Sequence, residues 1–265
     1  MSATFFAGCD VGSTTGKAVI LRGEEIAGTS IVPSQIDPEL TARAALDAAL
    51  AEVPDCPGSD GFAYLVGTGY GRTEVPFADQ NVSEITCHGV GAHHCDPAVK
   101  TLVDIGGQDI KAISLHPDGA VREFAMNDKC AAGTGRFFEA MSRVFQMELE
   151  QFSALSLQAT RTVPITAQCS VFAETEVISL ISKRLPPPDI AAGIQTAVAK
   201  RVFSLARRVG VVPKLAVTGG CAKNRGLAAE LAKILRVEIT PLPVDAQLMG
   251  ALGAAVIARR KSSGA

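Results

Sequence analysis

Asp10-Val11-Gly12-Ser13-Thr14-Thr15-Gly16-Lys17-Ala18-Val19-Ile20-Leu21 and Asp104-Ile105-Gly106-Gly107-Gln108-Asp109-Ile110-Lys111-Ala112-Ile113-Ser114-Leu115 follow one pattern. Asp10 falls on Asp104, Gly12 on Gly106, Lys17 on Lys111, Ala18 on Ala112 and Leu21 on Leu115, at a constant spacing of 94 residues (104 − 10). Each copy follows an apolar run, Phe5 to Cys9 and Thr101 to Val103, and each ends in another. The unit therefore reads as strand, small polar turn, strand. A Walker loop needs a helix after the turn, so this is not one despite its glycine, hydroxyl and lysine content. A recurring unit of this kind marks a duplicated α/β fold. Such a turn can wrap a phosphate with its N–H and hydroxyl groups. Two of them facing each other would form a cleft with a carboxylate at the end of each first strand. That suits a nucleotide phosphate chain held with Mg²⁺, a cation that prefers carboxylate, water and phosphate oxygens.

Working outward, Ile26 to Val32 reads as a third strand that completes a meander, and Pro38 to Glu52 as a helix. Phe62 to Val66 reads as a strand ending in Gly67-Thr68-Gly69-Tyr70-Gly71-Arg72. Glu84 to His94 looks helical and carries Cys87, His88, His93 and His94, with Cys95 just beyond. On a helix these side chains split between two faces, 87 with 94 and 88 with 95, and the spacing matches no common structural zinc site. Later come a long helix, about Asp189 to Val209, and a strand, Lys214 to Thr218. The turn Thr218-Gly219-Gly220-Cys221-Ala222-Lys223-Asn224 follows, and glycines there can lie against a flat base or sugar where a side chain could not. The last helix, Gln247 to Ala255, has small residues at four-residue spacing that let another helix or backbone come close. Arg259 to Ala265 is a polar tail expected to fray. The repeat places a first half at 1–95 and a second at 96–265, with the final helix free to pack back on the first.

Two cysteine segments carry the unusual chemistry. Asn127-Asp128-Lys129-Cys130-Ala131-Ala132-Gly133-Thr134-Gly135-Arg136 follows a short strand-like run and opens a helix pattern at Phe137, Phe138, Met141, Val144 and Phe145. Gln168-Cys169-Ser170-Val171-Phe172-Ala173-Glu174 follows a strand-like run, Thr162 to Thr166, and opens another at Phe172, Val177, Ile178 and Ile181. Both cysteines are thus expected at helix starts, where free N–H groups and the positive end of the dipole favour a thiolate. The plain alternative is that both are small buried hydrophobes, the usual fate of a free cysteine.

The bulk numbers narrow the class. At 265 residues, 47% hydrophobic and 20% charged, the chain is long and apolar enough for one large domain or two compact ones with real cores. A net charge of -2 gives no reason to expect nucleic acid or an anionic membrane surface as partner. No apolar run reaches membrane-spanning length and no signal peptide is visible, so the cytoplasm is the expected compartment. Seven cysteines, an odd number with no CxxC pair, do not form a disulfide framework and read as reduced thiols.

The two repeated turns and the Thr218-Gly219-Gly220 turn resemble the actin/Hsp70/sugar-kinase ATPase superfamily, with duplicated ribonuclease H-like domains and a nucleotide cleft between them. The two cysteine segments are similar to one branch of it: the activator ATPases of 2-hydroxyacyl-CoA dehydratases and the ATPase subunits of benzoyl-CoA reductase. The likeness runs from about residue 5 to residue 257. It implies ATP/ADP and Mg²⁺ as ligands, and a homodimer or a dimer of related subunits. It also implies one [4Fe–4S] cluster on the two-fold axis, held by Cys130 and Cys169 of each chain. Four thiolates are what such a cluster wants, and two cysteines from each of two chains supply them. By the same resemblance the chain takes electrons from ferredoxin or flavodoxin and uses ATP to drive them into a CoA-thioester dehydratase or reductase. Cys9, Cys56, Cys87, Cys95 and Cys221 match no ligand position of the family.

The resemblance also implies roles residue by residue. Asp10 would organise Mg²⁺ and its waters, and Asp104 would do the same or orient the attacking water. Gly12, Ser13, Thr14 and Thr15 would hold phosphates, with Lys17 as a nearby charge. Gly106, Gly107 and Gln108 would close the other side. Gly219 and Gly220, with Asn224, would border the adenosine. Two other readings compete: a small-metabolite kinase on the same fold, and an actin-like nucleotide sensor. Neither explains Cys130 and Cys169. Within the favoured branch, the compact chain fits a homodimeric dehydratase activator, with a benzoyl-CoA reductase subunit as the alternative.

Overall fold

The computed structural model describes residues 4–127, 130–166 and 169–262. Of the segments singled out by sequence, Asp128, Lys129, Gln168 and the last three residues of the tail lie outside the described residues. The chain divides into two units, one of Met1–Lys100, Leu115–Arg122 and Leu242–Ala265, the other of Thr101–Ser114 and Glu123–Pro241.

In the first unit, β1 (Phe5–Val11), β2 (Thr15–Arg22) and β3 (Glu25–Pro33) form the expected antiparallel meander. All seven residues of β1 are buried, as a central strand requires. Helix α1 (Pro38–Leu50) starts where its sequence says it should: Asp37 accepts from the Glu39 N–H at 2.8 Å, and Pro38 opens the first turn. It buries Ala42, Ala45, Leu46 and Ala49 against the meander. β4 (Phe62–Thr68) then runs parallel to β1, and β5 (Gln80–Asn81) parallel to β4, giving the sheet order β3-β2-β1-β4-β5. Helix α2 (Glu84–Cys95) follows, capped by Ser83.

The second unit repeats the plan. β6 (Thr101–Ile105) and β7 (Ile110–Leu115) pair antiparallel, β8 (Val121–Asn127) lies beyond β7, and the sheet order is β8-β7-β6-β9. Between β8 and β9 stand α3 (Gly135–Val144), α4 (Leu149–Ser156), α5 (Ser170–Ser182) and α6 (Pro187–Val209). β9 (Leu215–Thr218) pairs parallel with β6, and α7 (Arg225–Leu235) follows. Phe137, Phe138, Met141, Phe152, Ile190 and Ile194 are fully buried and carry the core over this sheet.

Three expectations need correction. Cys130 does not open α3: the helix starts at Gly135 with Thr134 as its cap, because the two N–H groups after Thr134 are drawn to carbonyls of the Gly106-Gly107 turn. Thr162 to Thr166 forms no strand. Pro164 has no N–H, and the run lies along α6 instead, with the Val163 N–H donating to Asp189 O at 3.1 Å. The tail does not fray at Arg259. The chain returns to the first unit in α8 (Met249–Ser262), which persists through Ser262. Its last turn carries Arg259, Arg260 and Lys261, which suit the negative end of the helix, and Arg259 pairs with Glu24 at 2.8 Å.

Helix α8 packs on β1, β4 and α2. Its small residues do what their spacing suggests. A Cβ on Gly253 would strike the carbonyl of Cys87 and stand 2.9 Å from Gly91 N, both on α2. Backbone meets backbone there, with no flexible side chain to give way. Gly253→Ala is therefore expected to destabilise the protein by about 3 kcal/mol, the upper end for overpacking a dense core. Urea unfolding checks this, and an unchanged midpoint would mean that the two helices separate at no cost.

Candidate functional site

The register of the two sheets builds the same small site twice. On the antiparallel side Asp10 faces Lys17, and Asp104 faces Lys111. On the parallel side Asp10 faces Thr68, and Asp104 faces Thr218. Both carboxylates are buried at the ends of their strands. Lys17 Nζ stands 3.2 Å from Asp10 Oδ2, and Lys111 Nζ 3.4 Å from Asp104 Oδ2. The turns close alike: Gly12 N–H donates to Thr15 O and Gly106 N–H to Asp109 O, each at 3.0 Å. Ser13, Thr14 and Thr15 are partly exposed along the first turn, and Gly107 and Gln108 occupy the matching positions of the second.

The copies also differ. In the second unit Lys111 donates to Asp109 Oδ1 at 2.6 Å as well, so two carboxylates share one buried ammonium. Thr218 Oγ1 donates to Asp104 Oδ1 at 3.2 Å. The Gly135 and Arg136 N–H groups donate to Gly106 O and Gly107 O at 2.9 and 3.0 Å, so this turn is fastened to the first turn of α3. In the first unit Ser34 Oγ donates to Gly12 O at 2.8 Å. His88 lies near Asp10: the point a Cβ on Gly250 would occupy is 2.9 Å from Asp10 Oδ2 and 3.0 Å from His88 Nε2.

The glycine turn after β9 has a partner that the repeat alone does not reveal. Gly69 and Gly219 follow Thr68 and Thr218 and take φ of +93° and +81°. A Cβ on Gly69 would strike Asp10 Oδ1, and one on Gly219 would lie 2.7 Å from Asp104 Oδ1. Each glycine lets the chain turn sharply while hugging a carboxylate. A Thr-Gly pair closing a strand is the signal that could have found this match. Gly220 is exposed beside Gly219. Asn224 is engaged by the fold: its Oδ1 accepts from Leu227 N–H and Ser153 Oγ, both at 2.9 Å, and its Nδ2 donates to Gln195 Oε1 at 3.2 Å.

Cys130 and Cys169 are exposed; Cys9, Cys87 and Cys221 are buried, and Cys56 and Cys95 half-buried. Cys169 caps α5, with the Ala173 N–H donating to its carbonyl at 2.9 Å. The approach to it is clamped by Glu176, whose carboxylate accepts from Thr166 N–H at 3.0 Å and Thr166 Oγ1 at 2.8 Å. Cys130 sits in the loop between β8 and α3, where Asn127 Nδ2 donates to its carbonyl at 3.4 Å. Burial pushes the Arg201 guanidinium below its ordinary value, and the charges of Cys130 and Cys169 both act against that shift. Arg201 thus lies within electrostatic reach of both thiols. Burial pushes the other thiols up: Cys9, Cys87 and Cys221 to about 12, and Cys95 to about 11. Cys56 is also raised by burial. The histidines and cysteines of α2 go separate ways: His88 toward Asp10, His93 against Gly119, and Cys95 Sγ 4.0 Å from Met249 Sδ.

Comparison with known proteins places this arrangement. The activator of lactoyl-CoA dehydratase from Anaerotignum propionicum is 44% identical over 95% of this chain and 96% of its own. The crystal structure of (R)-2-hydroxyglutaryl-CoA dehydratase component A from Acidaminococcus fermentans superposes with a TM-score of 0.93 at 41% identity, covering 98% of this chain and 100% of that one. The activator of 2-hydroxyisocaproyl-CoA dehydratase from Clostridium difficile, solved with bound ADPNP, gives a TM-score of 0.92 at 38% identity, covering 98% and 96%. Sugar kinases share the fold alone, at much lower identity. Residues 7–258 match the model of a single family, and the chain belongs to it: the BadF/BadG/BcrA/BcrD ATPase family.

Proposed function

We propose that this chain is an ATP-hydrolysing electron donor that activates a 2-hydroxyacyl-CoA dehydratase. It works as a dimer in which Cys130 and Cys169 of each copy hold one shared [4Fe–4S] cluster. The observation that carries the reading is the separation of the cysteines into two kinds. Two are exposed and have Arg201 in their electrostatic surroundings; the other five are buried or half-buried, and burial raises each of those thiols. A cysteine ligates iron as its thiolate, and exposed Cys130 and Cys169 are free to do so, so the donor set suits the cluster. Among the described residues no group of three or more His, Cys, Asp or Glu could hold a metal ion. One chain thus offers two ligands, and a four-thiolate cluster calls for a second copy. When bound, the cluster supplies a one-electron carrier.

The chain's own residues supply the rest. Asp10 and Asp104 hold Mg²⁺ and its waters, and Asp104 is the better placed to orient the attacking water because Thr218 fixes one of its oxygens. Gly12, Ser13, Thr14, Thr15, Gly106, Gly107 and Gln108 bind phosphate oxygens through backbone and hydroxyl groups. Lys17 exchanges part of its pairing with Asp10 for the anion. Gly219 and the exposed Gly220 border the adenosine, and Asn224 holds that turn in place through α7. The relatives with bound ADPNP and with dehydratase-activating roles support this assignment. An electron donor of the ferredoxin or flavodoxin type and a cytoplasmic setting complete the proposal. No described helix is long and apolar enough to cross a membrane.

Three outcomes test it. Asp10→Ala should lose ATP hydrolysis by more than about a hundredfold, the order of a lost electrostatic catalytic group, yet keep its iron. Cys130→Ala and Cys169→Ala should each lose the iron after anaerobic reconstitution while the nucleotide still binds; full iron retention in either would sink the ligand assignment. In the iron-free protein at pH 8, iodoacetamide should modify Cys130 and Cys169 first, read by peptide mass spectrometry. A thiol with a pKa near 12 exposes only about one ten-thousandth of itself as thiolate at that pH, so Cys9, Cys87 and Cys221 should react only on unfolding.

A further inference from the structure

Helix α6 places Arg201 beside the loop that carries Cys130. Arg201 is half-buried, whereas its neighbours Lys200 and Arg208 are exposed. Its Cδ stands 3.6 Å from the point a Cβ on Gly133 would take, within the loop that carries Cys130. Its guanidinium carbon lies 6.0 Å from the centre of the Phe137 ring on α3, a cation–π contact that holds the head group in place. It also lines a cavity of about 570 Å³ together with Asn127, which bonds the Cys130 carbonyl, and Thr166, which is clamped ahead of Cys169. Among the described residues, the charged ones that line that cavity are Lys200, Arg201 and Arg208, all cations. The charges of Cys130 and Cys169 both favour the protonated Arg201, in keeping with that placement.

We propose that Arg201 sets the reduction potential of the group held by Cys130 and Cys169. The inference rests on the cluster reading above. A cluster gains negative charge when it accepts an electron, and a fixed positive charge beside it favours that state. Net charge, hydrogen bonding and solvent exposure are the levers a protein has over such potentials. Charge at a partly buried site is screened far less than charge in solvent, which separates Arg201 from Lys200 and Arg208. Arginine suits the task because its planar head can rest on an aromatic face while keeping its charge. Arg201 is thus a positioning and tuning residue: it lies against the loop that carries Cys130 and acts on the electron through charge.

The test is an anaerobic redox titration of the iron-loaded protein, followed by electron paramagnetic resonance, for wild type, Arg201→Met, Arg201→Lys and Lys200→Met. Arg201→Met should keep its iron and show about a tenfold lower ratio of reduced to oxidised cluster at any set potential, a downward shift of about 59 mV for one electron. Arg201→Lys and Lys200→Met should stay within about threefold of wild type. An unchanged midpoint in iron-loaded Arg201→Met overturns the proposal. If Arg201→Met loses iron, Arg201→Lys decides: retained iron with a wild-type midpoint supports a role for the charge, and lost iron in both variants overturns it in favour of packing. Wild-type protein that takes up no iron would instead bring down the cluster reading itself.

Discussion

Two hydrogen bonds organise the second unit: Gly135 N–H to Gly106 O and Arg136 N–H to Gly107 O. They satisfy the first donors of α3, which a helix otherwise leaves to water. Each contributes about 1 kcal/mol net. They fix where α3 begins, and hence how much chain is left to form the loop from β8 that carries Cys130. They also join the Gly106-Gly107 turn with a helix whose buried Phe137 and Phe138 anchor the core. Any displacement of Gly106 and Gly107 is therefore passed to α3 through directional bonds rather than through loose side-chain contact.

The two strand-end carboxylates show how a buried charge is managed. Asp10 and Asp104 are buried and each is paired with a lysine on the neighbouring strand. A buried carboxylate without such a partner would be costly, and one held too firmly would have nothing to give a metal ion. In the second unit the lysine is shared with Asp109 and the threonine takes one oxygen of Asp104. The first unit instead puts His88 and Gly250 near Asp10. One duplicated scaffold thus presents two differently dressed carboxylates.

Much of this was legible in the residues. The constant spacing of the two turns announced the duplication, and the structure extends it to hydrogen bonds and register. Thr68-Gly69 and Thr218-Gly219 escaped the same comparison because α3 to α6 are inserted before β9, so the interval from Asp104 is nearly twice that from Asp10. Strand Thr162 to Thr166 was misread because a β-rich composition says nothing about whether a sheet edge is free; Pro164 and the pull of Asp189 laid the run against α6. Arg201 carried no local signal, since a charged residue on a long amphipathic helix reads as solvated. Only the packing of α6 against the two cysteine loops gives it a neighbourhood.

The return of α8 to the first unit has a consequence for how the protein is made. Gly8 in the first strand is packed against the backbone at Ala251 and Ala255. β1 cannot complete its core until the residues near 255 have been made. The second unit, Thr101–Ser114 with Glu123–Pro241, is compact in itself and can fold while the earlier strands wait. During synthesis the second unit is thus free to mature first, and the apolar β1 depends in that interval on chaperones or on its own meander to stay out of trouble.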